Sequence, residues 1–146
     1  MSLWIRLSSI VVPVVAALAA GGTPQQTQAA REILGRWRGT SLCVKADWNR
    51  ACNDEVIVYD FVPDSSDASR IMQHAYKVVN GKLDLMGDLS YAYTPTSQTW
   101  DADFSNSRVS IRWSYQIHGD SLVGWVTDRP TSRVGRHVVA RRDRKP

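Results

Sequence analysis

The stretch Arg108-Val109-Ser110-Ile111-Arg112-Trp113-Ser114-Tyr115-Gln116-Ile117 alternates polar and apolar side chains without a break. Successive side chains of a strand point to opposite faces, so Val109, Ile111, Trp113, Tyr115 and Ile117 share a core face while Arg108, Ser110, Arg112, Ser114 and Gln116 face away. His118-Gly119-Asp120 then turns the chain into a strand over 122–127, and a loop over 128–132 leads to a last strand over 134–142. Upstream, Trp100, Ala102 and Phe104 alternate with Asp101 and Asp103, and before them come the β-branched and aromatic run 56–62 and a strand over 70–79 that ends at the hairpin signal Asn80-Gly81. The stretch 82–88 is either the return arm of that hairpin or a loop, and Gly87 and an irregular pattern favour a loop that delivers a short strand at 89–93. With a first strand over 36–44, this makes an all-β chain of about eight antiparallel strands joined by mostly short turns. Closing them into an up-and-down barrel removes the exposed sheet edges.

The 146 residues suit one domain. Residues 1–30 read as signal peptide and linker, and 31–146 as the barrel domain. The first segment has Arg6 as its only charge, an apolar run from Ile10 to Ala20, and Ala17-Leu18-Ala19 as a cleavage site. A transmembrane anchor is the competing reading, but the run is shorter than the ~20 residues of a span and contains Pro13. The polar stretch 21–28 reads as linker or part of the processed segment, and 29–34 as a short helical turn plugging the barrel bottom. Export to a periplasmic or extracellular, oxidising compartment makes a Cys43–Cys52 disulfide the expected state of the two cysteines, with two buried thiols as the alternative. Such a bridge contributes roughly 2 to 3 kcal/mol. The spacing does not suit zinc.

Working outward to the start of the first strand, Ile33-Leu34-Gly35-Arg36-Trp37-Arg38-Gly39-Thr40 carries a Gly-x-Trp step, in which glycine lets the backbone turn while the indole caps the core. Gly35-Arg36-Trp37 resembles the opening of the first strand in lipocalin and lipocalin-like barrels. The basic last strand and the hairpin 117–124 look similar to those of small bacterial lipocalin-like proteins. The Thr-Asp-Tyr step of the main lipocalins has no counterpart at His118-Gly119-Asp120. The resemblance implies an arginine packed over Trp37 from the last strand, with Arg141 favoured and Arg142 as the alternative.

No G-x-S-x-G elbow, H-E-x-x-H, P-loop or dinucleotide turn is present, so no catalytic residue, cofactor or metal is assigned. His74, His118 and His137 are scattered, and Asp101 and Asp103 are expected to face water. The net charge of +4 gathers in Arg129, Arg133, Arg136, Arg141, Arg142, Arg144 and Lys145. That end could touch an anionic membrane surface, whereas no nucleic-acid-binding pattern accompanies it.

Binding is the better-supported class. Tyr59, Phe61, Tyr91, Tyr93, Trp100, Phe104, Trp113 and Tyr115 are expected to point inward. They either fill the barrel or line a calyx for an apolar or amphipathic small molecule. The open end would carry Lys45, Arg50, Lys82, Arg108, Arg129 and Arg133 against Asp47, Asp84, Asp88 and Asp128, a slight excess favouring an anionic head. Trp48, flanked by Asn49 and Arg50 in the cysteine-closed loop that also holds Lys45, is either a recognition anchor for an extracytoplasmic protein, as in an enzyme inhibitor, or a lid over the mouth. A structural envelope protein is the third reading.

Overall fold

The computed structural model describes residues 22–144; the apolar run at Ile10–Ala20, its cleavage site and Lys145 lie outside the described residues. The elements are α1 (Pro24–Ile33), β1 (Gly35–Cys43), β2 (Glu55–Pro63), β3 (Arg70–Val79), β4 (Lys82–Thr94), β5 (Thr99–Ser105), β6 (Ser110–His118), β7 (Ser121–Asp128) and β8 (Val134–Arg142). The strands close into one antiparallel barrel in sequence order, β8 pairing with β1. No helix among the described residues is long and apolar enough to cross a membrane.

Four expectations are corrected. Residues 24–28 are helix, not linker: Thr23 caps α1, its hydroxyl accepting from the Gln26 N–H at 3.3 Å, and Pro24 follows at the first helical position. Proline is suited to that position because its missing N–H would have no intrahelical partner there. α1 buries Ala29 and Ile33 against the barrel bottom. Secondly, 82–88 is strand, not loop. β4 continues from the Asn80-Gly81 turn, and its register against β3 shifts between Ala75 and Tyr76, with Gly87 at φ 155°. A bulge there explains the irregular pattern, since an extra residue reverses which side chains face in. Thirdly, Val109 precedes β6 and is exposed. Fourthly, Arg142 rather than the favoured Arg141 packs over Trp37.

Trp37 is fully buried, and its indole N–H donates to the Ile33 carbonyl at 2.7 Å. Directly opposite it on β8 is Arg142, whose guanidinium lies 4.3 Å from the ring centroid. Arg142 also donates to the Leu34 carbonyl at 2.8 Å and to the Glu32 carbonyl, so it clamps the end of α1. Arg141, one residue earlier, is exposed and pairs in register with Arg38. Strand parity decides between them: once Arg142 faces inward with Trp37, Arg141 must face out.

At the same end, the buried Asp64 accepts from the Ser66 and Ser90 hydroxyls and the Ser66 N–H. These bonds, those of Ser66 first, hold its pKa down at about 2. The Cys43–Cys52 disulfide is formed, with Cα atoms 5.9 Å apart, and closes the loop at the opposite end.

A half-open cup at the disulfide end

The interior has a filled and an open zone. At mid-height Tyr59, Phe61, Tyr91 and Tyr115 pack ring against ring, with centroids 5.4 Å apart for Tyr91–Tyr115 and 5.8 Å for Phe61–Tyr115. The Tyr91 hydroxyl donates to Gln73 Oε1 at 2.9 Å, and Gln73 Nε2 donates to the Tyr115 hydroxyl at 3.2 Å. Burial pushes the Tyr59, Tyr91 and Tyr115 phenols well above 10, so this network is neutral. Paired in this way, the polar atoms can be buried without a desolvation penalty left uncompensated.

Above that plug lies a cup of about 310 Å³. Tyr59 and Gln73 form its floor, and Ala75, Leu89, Trp113 and Phe104 its apolar wall. Across from them Arg136 reaches in from β8. Its Nη1 donates to Ser41 Oγ at 2.8 Å and Glu55 Oε2 at 3.2 Å, and its Nη2 donates to the Asn53 carbonyl at 2.8 Å. The cup opens sideways as well as upward. β4 and β5 pair only at Ala92↔Asp101, Tyr93↔Trp100 and Thr94↔Thr99; beyond these rungs the strands part, and Met86 and Phe104 line the gap, both about two-fifths exposed.

The residues read from sequence are thus divided by height. Tyr59 and Trp113 line the cup, while Phe61, Tyr91 and Tyr115 are sealed beneath it. Tyr93 and Trp100, 5.2 Å apart, lie lower still, beside a separate polar cleft of about 270 Å³ between α1 and the barrel. Phe104 is at the rim rather than in the core. Arg136 and Glu55 were not singled out as site residues. The signal was present in β8, where Arg136 shares inward parity with Val138, Ala140 and Arg142.

The recognition-loop residues stay outside. Trp48 packs against Gly135, with the Arg133 guanidinium 5.1 Å from its ring, and Asn49 Nδ2 ties the loop to the Val44 and Gly135 carbonyls, each at 2.8 Å. The indole is 41% exposed and does not line the cup, so it is no lid. Lys45 pairs with Asp54 and Arg50 with Asp47, in solvent. The positive excess expected at the mouth does not extend inside: the charged residues lining the cup are Glu55 and Asp88 against Arg136.

Asp101 does not face open water as expected. It is half-buried and accepts from the Thr94, Thr99 and Ser114 hydroxyls, whereas Asp103 pairs with Arg112. His74 lies 2.7 Å from Asp88, and no group of three metal-ligating side chains occurs among the described residues. Among known proteins, no family model, no curated protein and no solved structure matches this chain.

Proposed function

We propose that this is an exported, lipocalin-like barrel that binds a small apolar or amphipathic molecule in the cup between the tyrosine plug and the disulfide end. The observation that carries the reading is the cup itself. At about 310 Å³ it reaches the lower end of the range for small-molecule sites, and its apolar wall faces a few fixed polar groups. Because Glu55 and the Asn53 carbonyl already engage Arg136, the interior favours an uncharged polar head over a carboxylate. The disulfide is at home in an oxidising compartment and supports export.

The test uses the uncharged fluorescent probe N-phenyl-1-naphthylamine. The wild-type barrel is expected to bind it with a rise in emission, and Ala75→Phe, which puts a ring into the cup, to weaken binding by about tenfold or more, a loss of ~1.4 kcal/mol. Unfolding should change little, because Ala75 faces empty volume. Absence of wild-type binding, or unchanged binding by the variant, would remove the cup from the account.

A second reading is a protein-binding module. The half-exposed Trp48, fixed by the disulfide and by Asn49, supports it as a rigid aromatic anchor. Ala75→Phe would leave that activity intact and Trp48→Ala would remove it.

A further inference from the structure

The outer wall of the barrel carries a feature independent of the cup. In a barrel surrounded by water the outward positions alternate with the core positions and are expected to be polar. On β7, β8, β1 and β2, however, Val123, Val139 and Val56 occupy outward positions of one rung, joined through Thr40 in the registers Val123↔Val139, Val139↔Thr40 and Thr40↔Val56. On the next rung toward the disulfide end stand Trp125 and Leu42, each opposite His137. Leu42, Val56 and Val139 are 47%, 45% and 54% exposed, so nothing in the described chain covers this stripe.

On the next rung toward α1, Arg38 and Arg141 stand directly opposite one another, both exposed. Neither makes an ion pair among the described residues. Like charges facing each other across strands are destabilising, so electrostatics within the barrel disfavours this rung. An external anion would compensate it.

We propose that this wall docks on the surface of an anionic lipid bilayer, with Val56, Val139 and Leu42 entering the boundary between headgroups and acyl chains, Trp125 at the headgroup level, and Arg38 and Arg141 against lipid phosphates. A bilayer surface offers apolar and anionic layers side by side at the spacing of neighbouring rungs, and tryptophan is favoured at such interfaces. A second copy fits less well, because a two-fold contact centred on this stripe brings the arginine rungs of both copies into the same interface.

The intact chain labelled with 5-fluorotryptophan tests this, using bicelles doped with spin-labelled lipid. Anionic bicelles of dimyristoyl phosphatidylcholine and phosphatidylglycerol are expected to broaden the Trp125 resonance and spare those of the buried Trp37 and Trp100; purely zwitterionic bicelles should not. The Arg38→Gln/Arg141→Gln double variant should bind about thirtyfold more weakly. The Arg38→Lys/Arg141→Lys variant should retain binding, and Val139→Asp should lose it. An unshifted Trp37 resonance reports that each variant is folded. An unbroadened Trp125 in anionic bicelles, or equal broadening in the Gln variant, overturns the proposal. So does a dimer abolished by Val139→Asp without bicelle binding, or a response to polyglutamate alone, since either assigns the wall to a protein partner.

Discussion

Trp37→Ala is expected to lower the unfolding free energy by about 3 to 5 kcal/mol, the range of large aromatic truncations in a core. Three losses coincide at this side chain. The indole is fully buried among Ile33 and the barrel floor, so its removal leaves a void that rigid neighbouring strands cannot close. The Ile33 carbonyl loses the indole N–H that caps the end of α1, and Arg142 loses the ring beneath its guanidinium. Equilibrium denaturation in urea measures the effect, with two arginine variants as internal controls. Arg142→Met should cost about 0.5 to 2 kcal/mol through the ring contact, plus whatever its carbonyl bonds add. Arg141→Met, outward and with no ion pair among the described residues, should stay within about 0.5 kcal/mol of wild type. Equal costs for the two arginines would mean that the register of β1 against β8 is wrong.

The second large effect is expected at Gly39. A Cβ built there would lie 2.0 Å from the Val139 carbonyl oxygen and 2.5 Å from the Ala140 Cα, both backbone atoms on the strand that closes the barrel. Side chains can swing away from an intruding methyl, but a paired strand cannot without breaking its ladder. Gly39→Ala is therefore expected to cost about 3 kcal/mol or more, at the upper end for overpacking, or to prevent closure outright. Gly135→Ala is the matched control on the opposite strand. Its nearest neighbour would be the Trp48 ring at 3.6 Å, an ordinary contact, and its φ is not positive, so the variant should melt close to wild type. Circular dichroism melts of the two variants make the comparison.

Much of the fold is legible because each strand announces its own parity. The run 111–117 needs no partner to show which side chains face in, and the same holds for 100–102; only the ends of these runs, Val109 and Phe104, leave the core. Legibility fails where parity changes within a strand or depends on a partner. In β4, Leu89 and Tyr91 face the core, while Leu85 pairs with the outward Tyr76 on the other side of the bulge, so one strand reads as two incompatible patterns. The choice between Arg141 and Arg142 depends on the β1–β8 register, which no local pattern contains. The first half of α1, residues 24–28, is hidden by its polar composition, although Thr23-Pro24 is a helix-start signal.

The candidate site shows the same limit. Inward aromatic residues can be enumerated from the chain, but their height in the barrel follows from the stagger of every strand, so Tyr115 in the plug and Trp113 in the cup, two residues apart on β6, could not be told apart. Sequence groups basic residues only as a slight excess at the mouth, Arg50 among them, and a basic end, Arg136 and Arg141 among them. The structure separates Arg136, committed to Glu55 inside, from Arg50 in solvent and from Arg38 and Arg141 on the outer wall.

Native mass spectrometry of the protein isolated from the cells that make it tests most directly whether the upper barrel is a binding cup over its sealed aromatic floor. A folded barrel carrying one small molecule of about a few hundred daltons is expected, in keeping with the cup volume. That mass should be lost in Ala75→Phe and kept in Gly135→Ala. A wild-type mass equal to that of the disulfide-bonded polypeptide alone, or an adduct that survives Ala75→Phe, would contradict it.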